Sequence, residues 1–261
     1  ELDASELKIK DAEFDDSLNS LEENEKIALK EAMENISAFH EKSFPSNWKD
    51  KNQHGAEVGE IYYPIKRVGI YVPGGNVPLV STVLMTVTLA RVANVPEVVV
   101  VTPPNEKGEV APQLLAALSL LNISEVYKVG GAQAIGALAF GTNTIKQVDK
   151  IFGPGNSYVN EAKRQVFGTV GIDLLPGPSE VMVIADETAN ANFAAAALLA
   201  QAEHGSGKES KYFLFTEKSF FKEVFQEMEE QLKYLNHRVA IEKVLENGFR
   251  AVWVPDIEKL S

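Results

Sequence analysis

The chain has 261 residues, of which 45% are hydrophobic and 24% are charged, and it contains no cysteine. These proportions are those of an ordinary globular protein, and the length suits one large domain or two small ones. The formal net charge of −12 at pH 7 is unlike the basic footprint of a nucleic-acid-binding protein. Without cysteine there are neither disulfides nor thiolate ligands, so a metal could be held only by histidine, carboxylate or amide groups.

The hydropathy pattern predicts neither a membrane span nor a signal peptide. No uninterrupted apolar run approaches the roughly 18 residues that a membrane-spanning helix needs. The acidic N-terminal segment lacks the basic and apolar regions of a signal peptide. We therefore expect a soluble, cytoplasmic protein without a membrane or nucleic-acid partner.

The N-terminal segment is predicted to be helical. One apolar stripe at helical spacing consists of Leu29, Ala32, Met33 and Ile36. Pro45 marks the end of this helix, and the polar stretch 46–60 is predicted to be a loop or an exposed hairpin.

From Ile61 onward, strands, glycine-containing turns and helices alternate. The predicted strands form a first series, Val68–Val72, Glu97–Thr102, Glu125–Val129 and Asp149–Phe152, and a second series, Glu180–Ala185, Lys211–Thr216 and Phe249–Val254. Stretches of helical length and composition connect them, which is typical of βαβ units with parallel strands. The predicted fold class is α/β, with two doubly wound, Rossmann-like but incomplete αβα domains and mainly parallel sheets.

A loop between the two series, residues 171–179, is the best candidate for a domain boundary. We predict that residues 1–70 and 181–261 together form a first, discontinuous α/β domain. Residues 71–180 are then an inserted second α/β domain, which carries three glycine turns.

Those three turns each follow a predicted strand and precede a predicted helix; they are residues 71–76, 130–133 and 153–156. In open α/β sheets, ligands bind beyond the carboxyl ends of the strands, where glycine lets a ligand approach backbone N–H groups. Strand-to-helix turns also use glycine for purely conformational reasons. Because no G-x-G-x-x-G fingerprint occurs, the pattern alone leaves a nucleotide site and simple turns equally open.

A second candidate site lies at the end of the helix predicted over Asn190–Glu203. Gln201 and His204 are three residues apart and therefore share a helix face, and Gly205 stops the helix. This histidine could simply cap the helix C-terminus, or the two residues could be part of a metal site whose other ligands come from elsewhere. Ser179 is not in a nucleophile elbow, so substrate binding suits it better than nucleophilic catalysis.

Five segments together resemble the histidinol dehydrogenase family: VGIYVPGGNVPLVSTVLM (68–85), VGGAQAIGALAFGT (129–142), VDKIFGPGNSYVNEAKRQV (148–166), DLLPGPSEVMVIAD (173–186) and LLAQAEHGS (198–206). The resemblance covers nearly the whole chain in order. It implies oxidation of L-histidinol to L-histidine through the aldehyde, with Zn²⁺ and two NAD, in histidine biosynthesis. It also explains the missing fingerprint, because this family binds NAD on incomplete Rossmann-like domains without it.

The resemblance also assigns residue roles. Tyr71, Gln133 and Asn156 take NAD-contacting positions, one at each glycine turn. Ser179 takes a substrate-contacting position. Gln201 and His204 take the positions of the first two zinc ligands, which also neighbour the substrate.

Other features of the family have no counterpart in these 261 residues. The resemblance implies that the family's adjacent Glu-His catalytic pair and its remaining zinc ligands, an Asp and a His, are absent; the dipeptide Glu203-His204 lies in the zinc-ligand motif instead. The last His comes from the other subunit of an intertwined dimer in the family, so the resemblance implies a homodimer. We predict no catalytic residue in this chain and expect it alone to show no histidinol-dependent NADH formation. A dehydrogenase for another polar alcohol and a non-catalytic nucleotide-binding or dimerisation homologue remain alternatives.

Overall fold

The computed structural model describes residues 4–74, 79–176, 180–186, 188–203, 211–235 and 238–255. Three helices come first: α1 (Ala4–Leu7), α2 (Asp11–Ser20) and α3 (Glu23–Ser43). The apolar stripe predicted on α3 is half-buried against a hydrophobic core, and Pro45 follows the end of the helix. An antiparallel hairpin then joins β1 (Trp48–Lys51) to β2 (Glu57–Glu60), with every strand residue exposed, so the stretch 46–60 contains the hairpin.

A five-stranded parallel sheet lies at the centre of the first half of the chain. Its strands are β3 (Arg67–Tyr71), β4 (Glu97–Val101), β5 (Val126–Tyr127), β6 (Lys150–Phe152) and β7 (Gly171–Ile172), in the spatial order β5-β4-β3-β6-β7. The chain therefore runs from the central strand β3 outward to β4 and β5. It then returns to the other side of β3, where it forms β6 and, further outward, β7. The boundary between β3 and β6 is the topological switch point of a doubly wound sheet.

Four helices connect these strands: α4 (Val80–Val92), α5 (Pro112–Leu120), α6 (Gly131–Phe140) and α7 (Ser157–Val166). The valine run of β4 alternates between two cores. Val98 and Val100 pack in the core that contains residues of α4 and α5, whereas Val99 and Val101 pack with residues of α6 and α7. Both faces of the sheet are thus covered, which is why this strand is hydrophobic without interruption.

The second half of the chain forms a smaller parallel sheet. Its elements are β8 (Val181–Ala185), α8 (Ala191–Glu203), β9 (Lys211–Phe215), α9 (Lys218–Leu232), α10 (Arg238–Gly248) and β10 (Phe249–Trp253), and the strand order is β10-β9-β8. The helices and one sheet face share a core that includes Leu198, Phe213 and Ile241. On the other face, Met182 and Ile184 are exposed. Both larger sheets are parallel and carry helices, so the predicted α/β, Rossmann-like class with mainly parallel sheets is confirmed.

The compact units of the structure differ from the predicted domains in the unit to which the N-terminal residues belong. Contacts divide the chain into one compact unit of residues 1–175 and another of residues 176–261. Residues 1–70 fall in the first unit because Phe14 of α2 enters its core, the Ile9 N–H donates to the carbonyl of Val126 at 2.9 Å, and β3 is the central strand of its sheet. The sequence did not reveal these long-range contacts because they involve a short, largely polar helix.

A second difference lies in the predicted boundary loop, which begins with β7. This strand has only two residues, Gly171 and Ile172, and it pairs with Lys150 and Ile151 of β6. Two residues are too few to produce a recognisable hydropathy pattern. Among the helices of the described residues, none has the length and apolarity needed to cross a membrane.

Candidate functional site

The switch point between β3 and β6 brings the first and third glycine turns together. The backbone of Gly153 packs so closely on β3 that a Cβ atom there would lie 2.0 Å from the carbonyl oxygen of Tyr71. Gly153 also has a φ of +112°, which L-residues with a side chain rarely adopt. Both constraints require glycine at the carboxyl end of β6.

The second turn, which opens α6, joins the same cluster through Tyr71. The phenol of Tyr71 is buried, and its oxygen accepts a hydrogen bond from the Gly131 N–H at 3.1 Å. Pro103, just after β4, touches both Gly74 and Gly130, since a Cβ atom on either glycine would lie 2.4 Å from a Pro103 atom. The second and third glycine turns and residues 71–74 of the first therefore converge at one edge of the sheet, as expected for the carboxyl ends of parallel strands; the rest of the first turn, Gly75 and Asn76, lies outside the described residues.

Two of the predicted cofactor contacts are exposed amides at this edge. Gln133 lies in the first turn of α6, and its side chain has no hydrogen-bond partner among the residues that the structure describes. Asn156 is the N-cap of α7, where its Oδ1 accepts the Val159 N–H at 3.1 Å. Both helix N-termini thus point their positive dipole ends towards this edge, which suits an anionic ligand group.

The turn between Gly153 and Asn156 also offers backbone donors. Pro154 has no N–H, and the N–H groups of Gly155 and Asn156 donate to no residue in the described part of the chain. Unpartnered N–H groups at a helix N-terminus bind phosphate oxygens readily. Gly155 could not be replaced without moving Val159, because a Cβ atom would lie 2.3 Å from its side chain.

A buried ion pair supports this turn, and the sequence reasoning missed it. Lys163 of α7 is fully buried. Its ammonium donates a hydrogen bond to a carboxylate oxygen of Asp173 and another, at 3.0 Å, to the carbonyl oxygen of Gly153. The other Asp173 oxygen accepts the Gly153 N–H at 2.8 Å. A signal was present in the sequence, since Lys163 follows Val159 by four residues and precedes Val166 by three, which places a charge on the buried face of α7.

Among the described residues, every carboxyl group with a shifted pKa is shifted downwards, by ion pairs or by hydrogen bonds, so none of these groups is a poised acid. Hydrogen bonds from Arg164 and Gln165 lower the pKa of the exposed Glu161 to about 2. Burial tends to raise the pKa of Glu125, but the hydrogen bond and charge of Arg67 outweigh it, so this pKa lies below its ordinary value. Both groups are fully ionised near neutral pH, which makes neither a general acid.

The predicted zinc and substrate positions are only partly described. Gln201 is half-buried in the last turn of α8. His204 and Ser179 lie outside the described residues, so the pairing of Gln201 with His204 stays a prediction. Within the described ranges, no three His, Asp or Glu side chains come together as a metal site would require.

Comparison with known proteins identifies the family. A profile of histidinol dehydrogenase matches residues 1–261. The chain is 48% identical over 207 residues to a histidinol dehydrogenase from Symbiobacterium thermophilum, covering 79% of this chain and 47% of that protein. It is 46% identical over 233 residues to a histidinol dehydrogenase from Bacillus cereus, covering 89% of this chain and 54% of that one.

Solved structures agree with the sequence comparison. The crystal structure of histidinol dehydrogenase from Elizabethkingia anophelis matches with a TM-score of 0.92 and 37% identity, over 97% of this chain and 58% of that one. A succinate-semialdehyde dehydrogenase from Burkholderia pseudomallei, with 16% identity and a TM-score of 0.54 over 80% of this chain and 43% of that one, shares the fold alone. The chain spans about half the length of the curated relatives it matches. With its motifs, its doubly wound sheet and these relatives, the chain belongs to the histidinol dehydrogenase family.

Proposed function

We propose that this chain forms the cofactor-binding part of an NAD-linked dehydrogenase that oxidises L-histidinol to L-histidine through the aldehyde. The observation that carries the proposal is the convergence of three glycine turns at the switch point, where Gln133 and Asn156 present exposed amides beside two helix N-termini. Membership of the histidinol dehydrogenase family supports L-histidinol as the substrate and its oxidation as the reaction.

In this proposal the edge of the first sheet binds NAD. The N–H groups of Gly155 and Asn156, which donate to no described residue, and the N-terminus of α7 hold the diphosphate, which is the anionic part of the dinucleotide. The amides of Gln133 and Asn156 orient the rest of the dinucleotide by hydrogen bonding. Tyr71 holds the first turn against the second through its hydrogen bond with Gly131. When bound, NAD accepts hydride and Zn²⁺ polarises the oxygen from which the proton leaves.

The proposed metal site lies in the second unit. Gln201 and His204 are the proposed zinc ligands, and together with Ser179 they are the proposed substrate contacts. A glutamine oxygen and an imidazole nitrogen are chemically competent zinc donors, but two donors leave a coordination sphere incomplete. The further ligands therefore come from residues other than these two. A homodimer and a cytoplasmic location belong to the same proposal.

The cofactor site can be tested on this chain by titrating it with NADH and following fluorescence. Gln133→Ala removes one amide, and Asn156→Ser removes the other while keeping an N-cap residue for α7. Each is expected to weaken NADH binding about tenfold, the effect of losing one hydrogen bond of about 1.4 kcal/mol. Lys146→Ala, an exposed change in the same unit, is the control. Unchanged affinity in both amide variants would rule out this site.

The reaction can be tested in a hybrid enzyme, in which this chain replaces the matching region of the Bacillus cereus relative. NADH formation should depend on L-histidinol and on Zn²⁺, and Gln201→Ala should lower it by more than about tenfold through weaker metal binding. A hybrid that oxidises a different polar alcohol and ignores L-histidinol would favour the alternative dehydrogenase. A hybrid that binds NADH without turnover would favour a non-catalytic homologue.

A further inference from the structure

The Gly153 peptide groups are held from both sides by one buried ion pair. Lys163 lies on the core side of α7 with its side chain 0% exposed, and its ammonium binds the Gly153 carbonyl oxygen at 3.0 Å. Asp173, just after β7, binds the Gly153 N–H at 2.8 Å and the ammonium of Lys163. A third bond, from the Leu174 N–H to Asp173 at 2.7 Å, fixes the carboxylate.

Stability alone does not account for this arrangement. Removing two charges from water has a large free-energy cost, and an apolar pair of similar volume often stabilises a fold as well as a buried ion pair does. What an apolar pair cannot do is hydrogen-bond the N–H and the carbonyl of Gly153. The distinctive effect of the pair is therefore on the position of the turn.

We propose that Lys163 and Asp173 are positioning residues for NAD, an inference that rests on the proposed cofactor site. The pair fixes the start of the turn at Gly153, while the cap of α7 fixes its end at Asn156. Between these two anchors lie the N–H groups of Gly155 and Asn156, which have no acceptor among the described residues and whose directions are then set before the diphosphate arrives. Pre-organised donors of this kind bind more tightly because no ordering accompanies binding.

The test compares two matched double variants of this chain. Lys163→Met/Asp173→Leu removes the ion pair at the carboxyl ends of the strands without leaving an unpaired buried charge. Arg67→Met/Glu125→Leu removes the comparable buried pair at the amino ends of the same sheet, where Arg67 is 7% exposed and binds Glu125 at 2.6 Å. Thermal melting measures the stability of each variant, and NADH fluorescence measures its affinity.

The first variant should bind NADH at least tenfold more weakly than the unaltered chain. The second should have an NADH affinity within twofold of that of the unaltered chain, even if the melting temperatures of both variants fall by similar amounts. Equal NADH affinity in the first variant and the unaltered chain would overturn the inference. Equal weakening in both variants would also overturn it, because the effect would then follow stability rather than position. Failure of the unaltered chain to bind NADH would instead refute the proposed cofactor site itself.

Discussion

Gly153 is the residue on which the geometry of the switch point depends most. Its φ of +112° and its contact with the carbonyl of Tyr71 both exclude a side chain, and its own N–H and carbonyl are held by Asp173 and Lys163. The turn therefore has little freedom to move away from an added methyl group. We expect Gly153→Ala to lower the free energy of unfolding by about 3 kcal/mol, the sum of backbone strain and close contact.

Gly168→Ala is the matched control for that change. Gly168 also has a positive φ, +98°, but nothing lies within 4 Å of where its Cβ atom would be. Gly168→Ala should lower the free energy of unfolding by only about 1 kcal/mol, which is the cost of the backbone conformation. Urea denaturation of both variants measures the difference; equal losses would show that the approach of Gly153 to Tyr71 contributes nothing.

At the scale of the elements, an ion-pair cluster joins the amino ends of β3, β4 and β5. The guanidinium of Arg67 binds Glu97 at 2.8 Å and both oxygens of Glu125 at 2.6 and 2.9 Å. Burial tends to raise the pKa of Glu125, yet the hydrogen bond and charge of Arg67 bring it below the ordinary value of 4.5. Ionised Glu125 therefore stabilises the folded state.

The pH dependence of stability follows from the direction of that shift. Because the folded pKa is depressed, the contribution is complete above the unfolded value of 4.5 and is lost as the pH falls through the folded pKa. Glu125→Gln should lower the free energy of unfolding by about 2 kcal/mol at neutral pH. Urea denaturation at about pH 7 and about pH 3 should show this difference shrinking at the lower pH. A difference that stays constant would mean that the charge of Glu125 is unimportant.

The two ends of the first sheet thus have different roles. The amino ends of the strands carry Arg67 and its carboxylates, which join strands to one another. The carboxyl ends carry the glycine turns and the exposed amides of Gln133 and Asn156. In doubly wound sheets in general, ligands bind beyond the carboxyl ends of the strands.

At the scale of the whole molecule, residues 1–175 contain a complete doubly wound sheet with both faces covered. We expect a fragment of residues 1–175 to fold alone, because its core does not depend on strands from residues 176–261. Circular dichroism should show a cooperative thermal transition. A gradual loss of signal would contradict this expectation, and the full chain measured under the same conditions is the control.

Periodicity and turn chemistry in the sequence were sufficient to predict the strand–helix alternation, the parallel sheets and the three glycine turns. The uninterrupted valines of β4 predict a strand covered on both faces, and glycine after a strand predicts a tight strand-to-helix turn. These signals are local, since each depends on neighbours within a few residues. The family resemblance predicts NAD contacts at Tyr71, Gln133 and Asn156, which the pattern had left open.

The tertiary structure decided features that depend on residues far apart in the chain. The sequence could not reveal that α2 packs on the first unit, that the two residues of β7 pair with β6, or that Asp173 reaches Lys163 and Gly153. Each depends on a contact whose partners carry no distinctive local pattern, and Lys163 even breaks the apolar pattern of its helix face. Sequence therefore determined which elements form, and the packing of the sheet decided which side chains support the turn at its switch point.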